Sequence, residues 1–272
     1  TYPVQFDIYN DTIYVLDYAN ESVKVIPISS GNCVKQSQGY GYWSANGIAV
    51  SNNYVYIGGF TQYYQSYIRV LNNSSLNQVN LHNRYPDFYS MGGIDVNSDN
   101  TKLVTASYYG HKVCVFNISG SSLGSCQQIG NAGWGSSNGS FKYPGDAKFD
   151  SNGNIFVADM ANYRIQKFNS SGSYVSKYGY SYSYSGPFRN LHGLGVSPVD
   201  GKVYAADSAN NDVYEFSNTL GYLGRVGAPT SRMSIAKDAI KRIVEDAQLK
   251  SGANFGLMEW GFYWGNYLKL RV

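Results

Sequence analysis

Side chains suited to acid–base, nucleophilic or metal chemistry are scarce in this chain. Three histidines (His82, His111 and His192) and three cysteines (Cys33, Cys114 and Cys126) are spread over 272 residues. Histidines can hold a catalytic zinc ion only when several ligands converge from different elements. The local sequence puts His82 in a loop, His111 in the turn before a strand, and His192 alone at the entry of an inner strand. Their spacing carries no ligand pattern, and no C-x-x-C, G-x-S-x-G or P-loop run is present. No catalytic and no metal-binding residue is assigned, no cofactor is evident, and the chain is not read as an enzyme.

The cysteines offer covalent rather than catalytic chemistry. Cys114 and Cys126 flank the turn sequence NISGSSLG on what should be neighbouring strands. They are predicted to form a disulfide if they fall opposite one another, and diagonal placement would prevent it. Cys33 is then free or pairs elsewhere.

Contact chemistry is more abundant. Tyr63, Tyr64 and Tyr67 lie in FTQYYQSYIRV (60–70), and Tyr180, Tyr182 and Tyr184 in YGYSYSYSGPF (178–188). Rigid aromatic rings interleaved with small hydrogen-bonding residues make adaptable recognition surfaces. The same rings could instead stack between sheets or coat a neighbouring subunit.

Composition narrows the class. Aromatic residues make up 16% of the chain, with 27 Tyr, and charged residues only 14%. A net charge of +3, with no block of one sign, leaves no electrostatic footprint for nucleic acid or anionic lipid. No apolar run is long enough to insert in a membrane, and no secretory leader is recognisable. N-x-S/T triplets at Asn10, Asn20, Asn72, Asn73, Asn117, Asn138 and Asn169 suit an extracellular, glycosylated surface. The chain opens directly on strand-like sequence, which reads as a processed protein or as part of a longer one.

The elements that must position these residues come from a repeat. Five copies of one pattern align at Phe6, Ile48, Ile94, Ala147 and Leu194, about 40–50 residues apart, and none has a helical apolar stripe. The clearest copy predicts four short antiparallel strands at 145–150, 154–159, 164–169 and 174–179, separated by Ser/Asn/Gly turns. One such sheet cannot bury both faces, so the copies must stack around an axis as a β-propeller.

The run GSFKYPGDAKFDSNGNIFVADMANYRIQKF (139–168) resembles the NHL repeat, with Asp159, Asn162 and Arg164 at its V-A-D-x-x-N-x-R-I positions. Asp17/Asn20 and Asp207/Asn210 keep part of the pattern. The third copy departs, with Ser107 where Asp is expected, and the second carries a Tyr-rich insertion at 62–67. The recurring Asp and Asn read as structural groups bonding turn amides, because a ligand site would not need repeating around the ring. The resemblance covers about residues 4–227. It implies six blades, with one missing upstream, unless the ring closes with five. Some NHL-type lyases hold zinc at the propeller axis, so a metal-dependent lyase or hydrolase is one implied alternative.

Domain 1–227 is accordingly read as all-β propeller, and 228–272 as a different fold. Met233, Ala236, Ile240, Ile243, Val244 and Ala247 keep helical spacing after an N-cap at Ser231, then NFGLMEW and YLKLRV read as strands. SRMSIAKDAIKRIV…ANFGLMEWG resembles the first helix and strand of the von Willebrand factor A-like domain of type IV pilus tip adhesins of the PilC/PilY class. That resemblance implies a divalent metal in the parent A-type domain, but its D-x-S-x-S loop is absent from residues 1–272. Glu259 would face that metal loop or form a strand-end salt bridge.

The leading expectation is an extracellular or cell-surface binding module of an adhesin, recognising protein or glycan through propeller loops. A structural subunit of an extracellular filament or sheath is the second. Pilus or filament subunits are the implied partners, with no nucleic acid and no membrane insertion.

Overall fold

A computed structural model describes residues 3–226, except 19–20, 40–43, 62, 64, 84–87, 132 and 181–185. The helix and strands expected within 228–272, with Ser231 and Glu259, lie outside the described residues, as do Asn20, Tyr64, Tyr182 and Tyr184.

Alternating apolar residues and Asn/Ser/Gly turns fold the chain into five antiparallel sheets arranged as a five-blade β-propeller. The first blade contains β1 (Pro3–Tyr9), β2 (Thr12–Asp17), β3 (Ser22–Pro27) and β4 (Lys35–Gln36). The second contains β5 (Ser44–Val50), β6 (Tyr54–Phe60), β7 (Ser66–Asn72) and β8 (Gln78–Asn83). The third contains β9 (Met91–Val96), β10 (Lys102–Ser107) and β11 (Lys112–Ser119), with two short partners of β11, β12 (Ser122–Leu123) and β13 (Gln127–Gln128). The fourth contains β14 (Pro144–Phe149), β15 (Ile155–Asp159), β16 (Arg164–Phe168) and β17 (Tyr174–Gly179). The fifth contains β18 (Leu191–Val196), β19 (Val203–Asp207), β20 (Asp212–Phe216) and β21 (Tyr222–Val226).

Two local expectations change. The Tyr-rich insertion is shorter than it reads, because Ser66 and Tyr67 belong to β7 and only 61–65 connect it to β6. His82 sits in strand β8, not in a loop, with Nε2 3.2 Å from the Ser121 carbonyl.

Successive inner strands β1, β5, β9, β14 and β18 pack side by side around the axis. Their backbones approach so closely that a Cβ on Gly92 would lie 2.3 Å from the Gly145 carbonyl oxygen. Buried polar groups stitch these strands together. Gln5 accepts the Ile48 amide at 2.7 Å, Asp7 the Val50 amide at 2.7 Å, Asp95 the Phe149 amide at 2.8 Å and Asp146 the Leu194 amide at 2.9 Å. Lys148 donates back to the Ile94 carbonyl at 2.9 Å. Each buried carboxylate thus satisfies a neighbouring blade's backbone as well as its own charge.

Four apolar cores lie between consecutive blades, around Leu16/Ile57, Ile68/Phe116, Phe141/Val157 and Phe156/Phe216. Each fully buried Leu, Ile or Phe contributes roughly 1.5–3 kcal/mol, so these interfaces dominate the fold's stability. Among the described residues no fifth core joins the fifth blade to the first. Phe6, Ile8, Ile13 and Val15 occupy the register positions at which Ile48, Val50, Val55 and Ile57 pack the second blade onto the first.

Candidate functional site

The repeat residues form latches rather than a site. In the fourth blade the Asp159 carboxylate accepts the Lys142 amide at 2.7 Å, Asn162 Nδ2 at 2.9 Å, Arg164 Nε at 2.7 Å and Gln166 Nε2 at 3.0 Å. Arg164, with no exposed surface, spends its remaining donors on the Ser136, Ser137 and Ser140 carbonyls, each at 2.8 Å. The cluster therefore clamps the connection from the third blade onto the β15–β16 turn. Burial raises the Asp159 carboxyl above its ordinary value, and the Arg164 charge opposes that rise.

The other blades keep the task and change the chemistry. Asp207 accepts the Arg189 and Asn190 amides at 2.7 and 3.0 Å, while Asn210 bonds Asp207 at 2.9 Å and the Pro187 carbonyl at 3.2 Å. Ser107 substitutes for Asp in the third blade, accepting the Tyr89 amide and donating to the Tyr89 carbonyl, both at 2.9 Å. Asp17 pairs with Lys24 at 3.4 Å. In the second blade Gly59 stands at the Asp position, and Tyr67 bonds Glu21 of the first blade, which also pairs with Arg69 at 3.3 Å. Tyr67 is thus fully buried and is no surface contact residue. Composition and spacing gave no sign of Glu21, whose role appears only when two blades meet.

Cys114 and Cys126 form a disulfide with Cα atoms 5.2 Å apart, and Cys33 is free and exposed. The histidines do not converge. His82 lies on the outer strand of the second blade, His111 in the β10–β11 turn of the third, and His192 on the inner strand of the fifth. Among the described residues no group of three His, Cys, Asp or Glu is arranged to hold a metal ion. His111 Nδ1 accepts the Tyr143 amide at 3.1 Å, and burial lowers its pKa, helped by Lys142.

What the topology does gather is aromatic surface. With four antiparallel strands per blade, the second-to-third strand turns and the blade-to-blade connections all emerge at one end of the ring. Tyr18, Tyr63, Tyr89, Tyr109, Trp134 and Tyr180 lie in those segments, exposed from 41% (Tyr18) to 73% (Tyr63). Tyr108, Tyr109, Tyr143 and His111 pack together beside them, and Lys142 caps the Trp134 ring at 4.7 Å. The turns at the other end (10–11, 28–34, 51–53, 73–77, 97–101, 150–154, 169–173, 197–202 and 217–221) contain no aromatic residue.

On the rim of the aromatic end, between the fourth and fifth blades, a cleft of about 500 Å³ is lined by Tyr178, Tyr214, Tyr222, Arg189, Arg225, Asn210 and Asp212, with Gly186 and Pro187. Tyr178 and Tyr222 are nearly parallel, at 20° and 6.2 Å between centroids. Tyr214 donates to the Pro187 carbonyl at 3.0 Å, and Arg225 lies over its ring at 5.4 Å while pairing with Asp212 at 2.9 Å. Sequence reasoning found only the edge of this cleft, through the 178–188 stretch, because its two arginines are 36 residues apart (225 − 189) and on different elements.

Comparison with solved structures supports the fold. The chain is similar to the streptogramin B lyase structure, with a TM-score of 0.61 and 14% identity over 85% of this chain and 70% of that one. It is also similar to a protein of unknown function from Bacteroides caccae, with a TM-score of 0.54 and 11% identity over 83% and 73% of the two chains. No protein-family model and no curated protein sequence matches it.

Proposed function

We propose that this chain is an extracellular recognition module of a cell-surface or type IV pilus-associated adhesin, binding a protein or glycan surface through the aromatic end of its propeller. One observation carries the reading. Among the described residues, six of the seven large exposed aromatics stand at a single end, whereas the opposite turns hold none. Tyr and Trp supply large contact area at small conformational cost, so their concentration on one face suits a binding surface. Glycosylation triplets at Asn10, Asn72, Asn73, Asn117 and Asn169 fall at or next to the opposite end, and the one at Asn138 falls at the aromatic end. The likeness of the tail to pilus-tip adhesins supports the assignment to a larger surface protein, and any divalent metal would belong to that A-type domain.

A filament or sheath subunit is the second reading, favoured by the apolar face that Phe6, Ile13 and Val15 present on the first blade. A lyase reading rests on the NHL resemblance and the fold shared with streptogramin B lyase, and a fold can host many functions.

The test is adhesion of beads coated with the protein to a panel of cells and a glycan array. Combined Tyr109→Ala, Trp134→Ala and Tyr180→Ala substitution should weaken retention about tenfold or more, the usual weight of central aromatics. Asn152→Ala with Ser171→Ala at the opposite end should leave it unchanged. Equal adhesion by both variants overturns the proposal.

A further inference from the structure

The cleft on the rim of the fifth blade has chemistry of its own, beyond a general aromatic surface. Its lining includes three tyrosine rings and two guanidinium groups. Their situations differ. Arg225 pairs with Asp212 at 2.9 Å and lies over the Tyr214 ring, so its charge is partly offset. Arg189 is exposed, and its guanidinium has no partner among the described residues. Counting Arg189, Arg225 and Asp212, the lining carries one net positive charge (2 − 1).

Polar groups around the rings are pre-set rather than free to collapse into the cleft. Asn210 Nδ2 is committed to Asp207, Pro187 and Tyr214, which leaves its Oδ1 as an acceptor. The Asp207 latch in turn bonds the backbone amide of Arg189 at 2.7 Å and so anchors the residue that carries the unpaired charge.

We infer that this cleft binds an acidic saccharide, one hexose ring stacking on Tyr222 and Tyr178 while its carboxylate meets Arg189. Apolar faces of a sugar ring pack on aromatic rings, and its hydroxyls pair with planar polar side chains such as Asn210 and Arg225. A planar guanidinium takes a carboxylate through two parallel hydrogen bonds, which an uncharged sugar cannot supply. The volume of about 500 Å³ is ample for a short oligosaccharide. A peptide is the poorer occupant, since the lining offers hydroxyls and guanidinium groups where apolar side chains would need pockets.

The inference rests on the binding-module reading, yet it can fail separately. Titration calorimetry of the whole chain with a galacturonic acid tetramer should show saturable binding that weakens as salt is raised. Maltotetraose, a neutral tetramer, should bind at least about tenfold less tightly, the loss expected when a charge-assisted pair is missing. Arg189→Gln should lower affinity for the acidic tetramer about tenfold and abolish the preference over maltotetraose, and Tyr222→Ala should weaken both sugars. Circular dichroism of the variants confirms that they remain folded. Equal binding of the two sugars by the native chain, or an unchanged preference in Arg189→Gln, overturns the acidic-sugar assignment. Absence of binding to either sugar overturns it too, and bead adhesion that still depends on Tyr109, Trp134 and Tyr180 would show that only this inference has failed.

Discussion

The buried Arg164 shows how much one side chain can decide. Its guanidinium meets a carboxylate and three carbonyls in a place with no solvent to replace them. Removing one partner of a buried ion pair typically costs about 3–5 kcal/mol, because the other charge is stranded. Arg164→Ala should lose that much in urea unfolding, and a loss below about 1 kcal/mol would refute the latch. Histidines make a second case at this scale. Burial lowers the pKa of both His111 and His192, with Lys142 adding to the first and Asp207 opposing the second. A depressed imidazole contributes stability that is complete above its ordinary value of about 6.5 and is lost as pH falls through the folded-state value. Buried Asp7, Asp146 and Asp159 act oppositely, because burial raises them and their contribution grows on acidification. The melting temperature of a His111→Gln/His192→Gln variant should therefore fall less than that of the native chain between pH 7.5 and 5. Parallel pH curves would contradict this.

Among the elements, the inner strands are the most constrained. The Asp and Asn positions of the latch were legible in the sequence because the pattern repeats, although the groups that replace them were not. Ser107 does the work of an Asp through the same Tyr89 backbone contacts. In the second blade the carboxylate comes from a different blade altogether, which no within-repeat alignment can reveal. Close axial packing supplies the test at this scale. A Cβ on Gly92 would meet Gly145 backbone oxygen at 2.3 Å and carbon at 3.1 Å, and neither can move aside alone. At Gly145 the nearest atom would be the His192 carbonyl at 3.2 Å. Gly92→Ala should cost about 3 kcal/mol or more in urea unfolding and Gly145→Ala distinctly less. The reverse order would mean that the strands are not packed as described.

At the scale of the whole molecule, the antiparallel blade converts sequence position into polarity. Every turn after a second strand and every blade-to-blade connection reaches one end, so Tyr and Trp residues that look scattered along the chain form one surface. The adhesion comparison between Tyr109/Trp134/Tyr180 and opposite-end variants belongs to this scale, since it asks whether the two ends differ in function as they do in chemistry. The ring is also asymmetric. The first blade keeps apolar residues at positions that pack against a preceding blade elsewhere, with no matching core among the described residues.

The sequence by itself determined the repeat, the strand pattern and the propeller, because a period-2 sheet recurring at blade length has few ways to bury both faces. It also singled out the latch residues and the Cys114–Cys126 pair, since both depend on short-range spacing. Tertiary structure alone decided which tyrosines are surface and which are core. Tyr67 and Tyr63 are four residues apart, yet one is sealed against Glu21 and the other faces solvent. It also brought Arg189, Arg225 and Tyr178 around one cleft. Burial and convergence are set by which blades become neighbours, and that is a property of the tertiary packing rather than of any local run of residues.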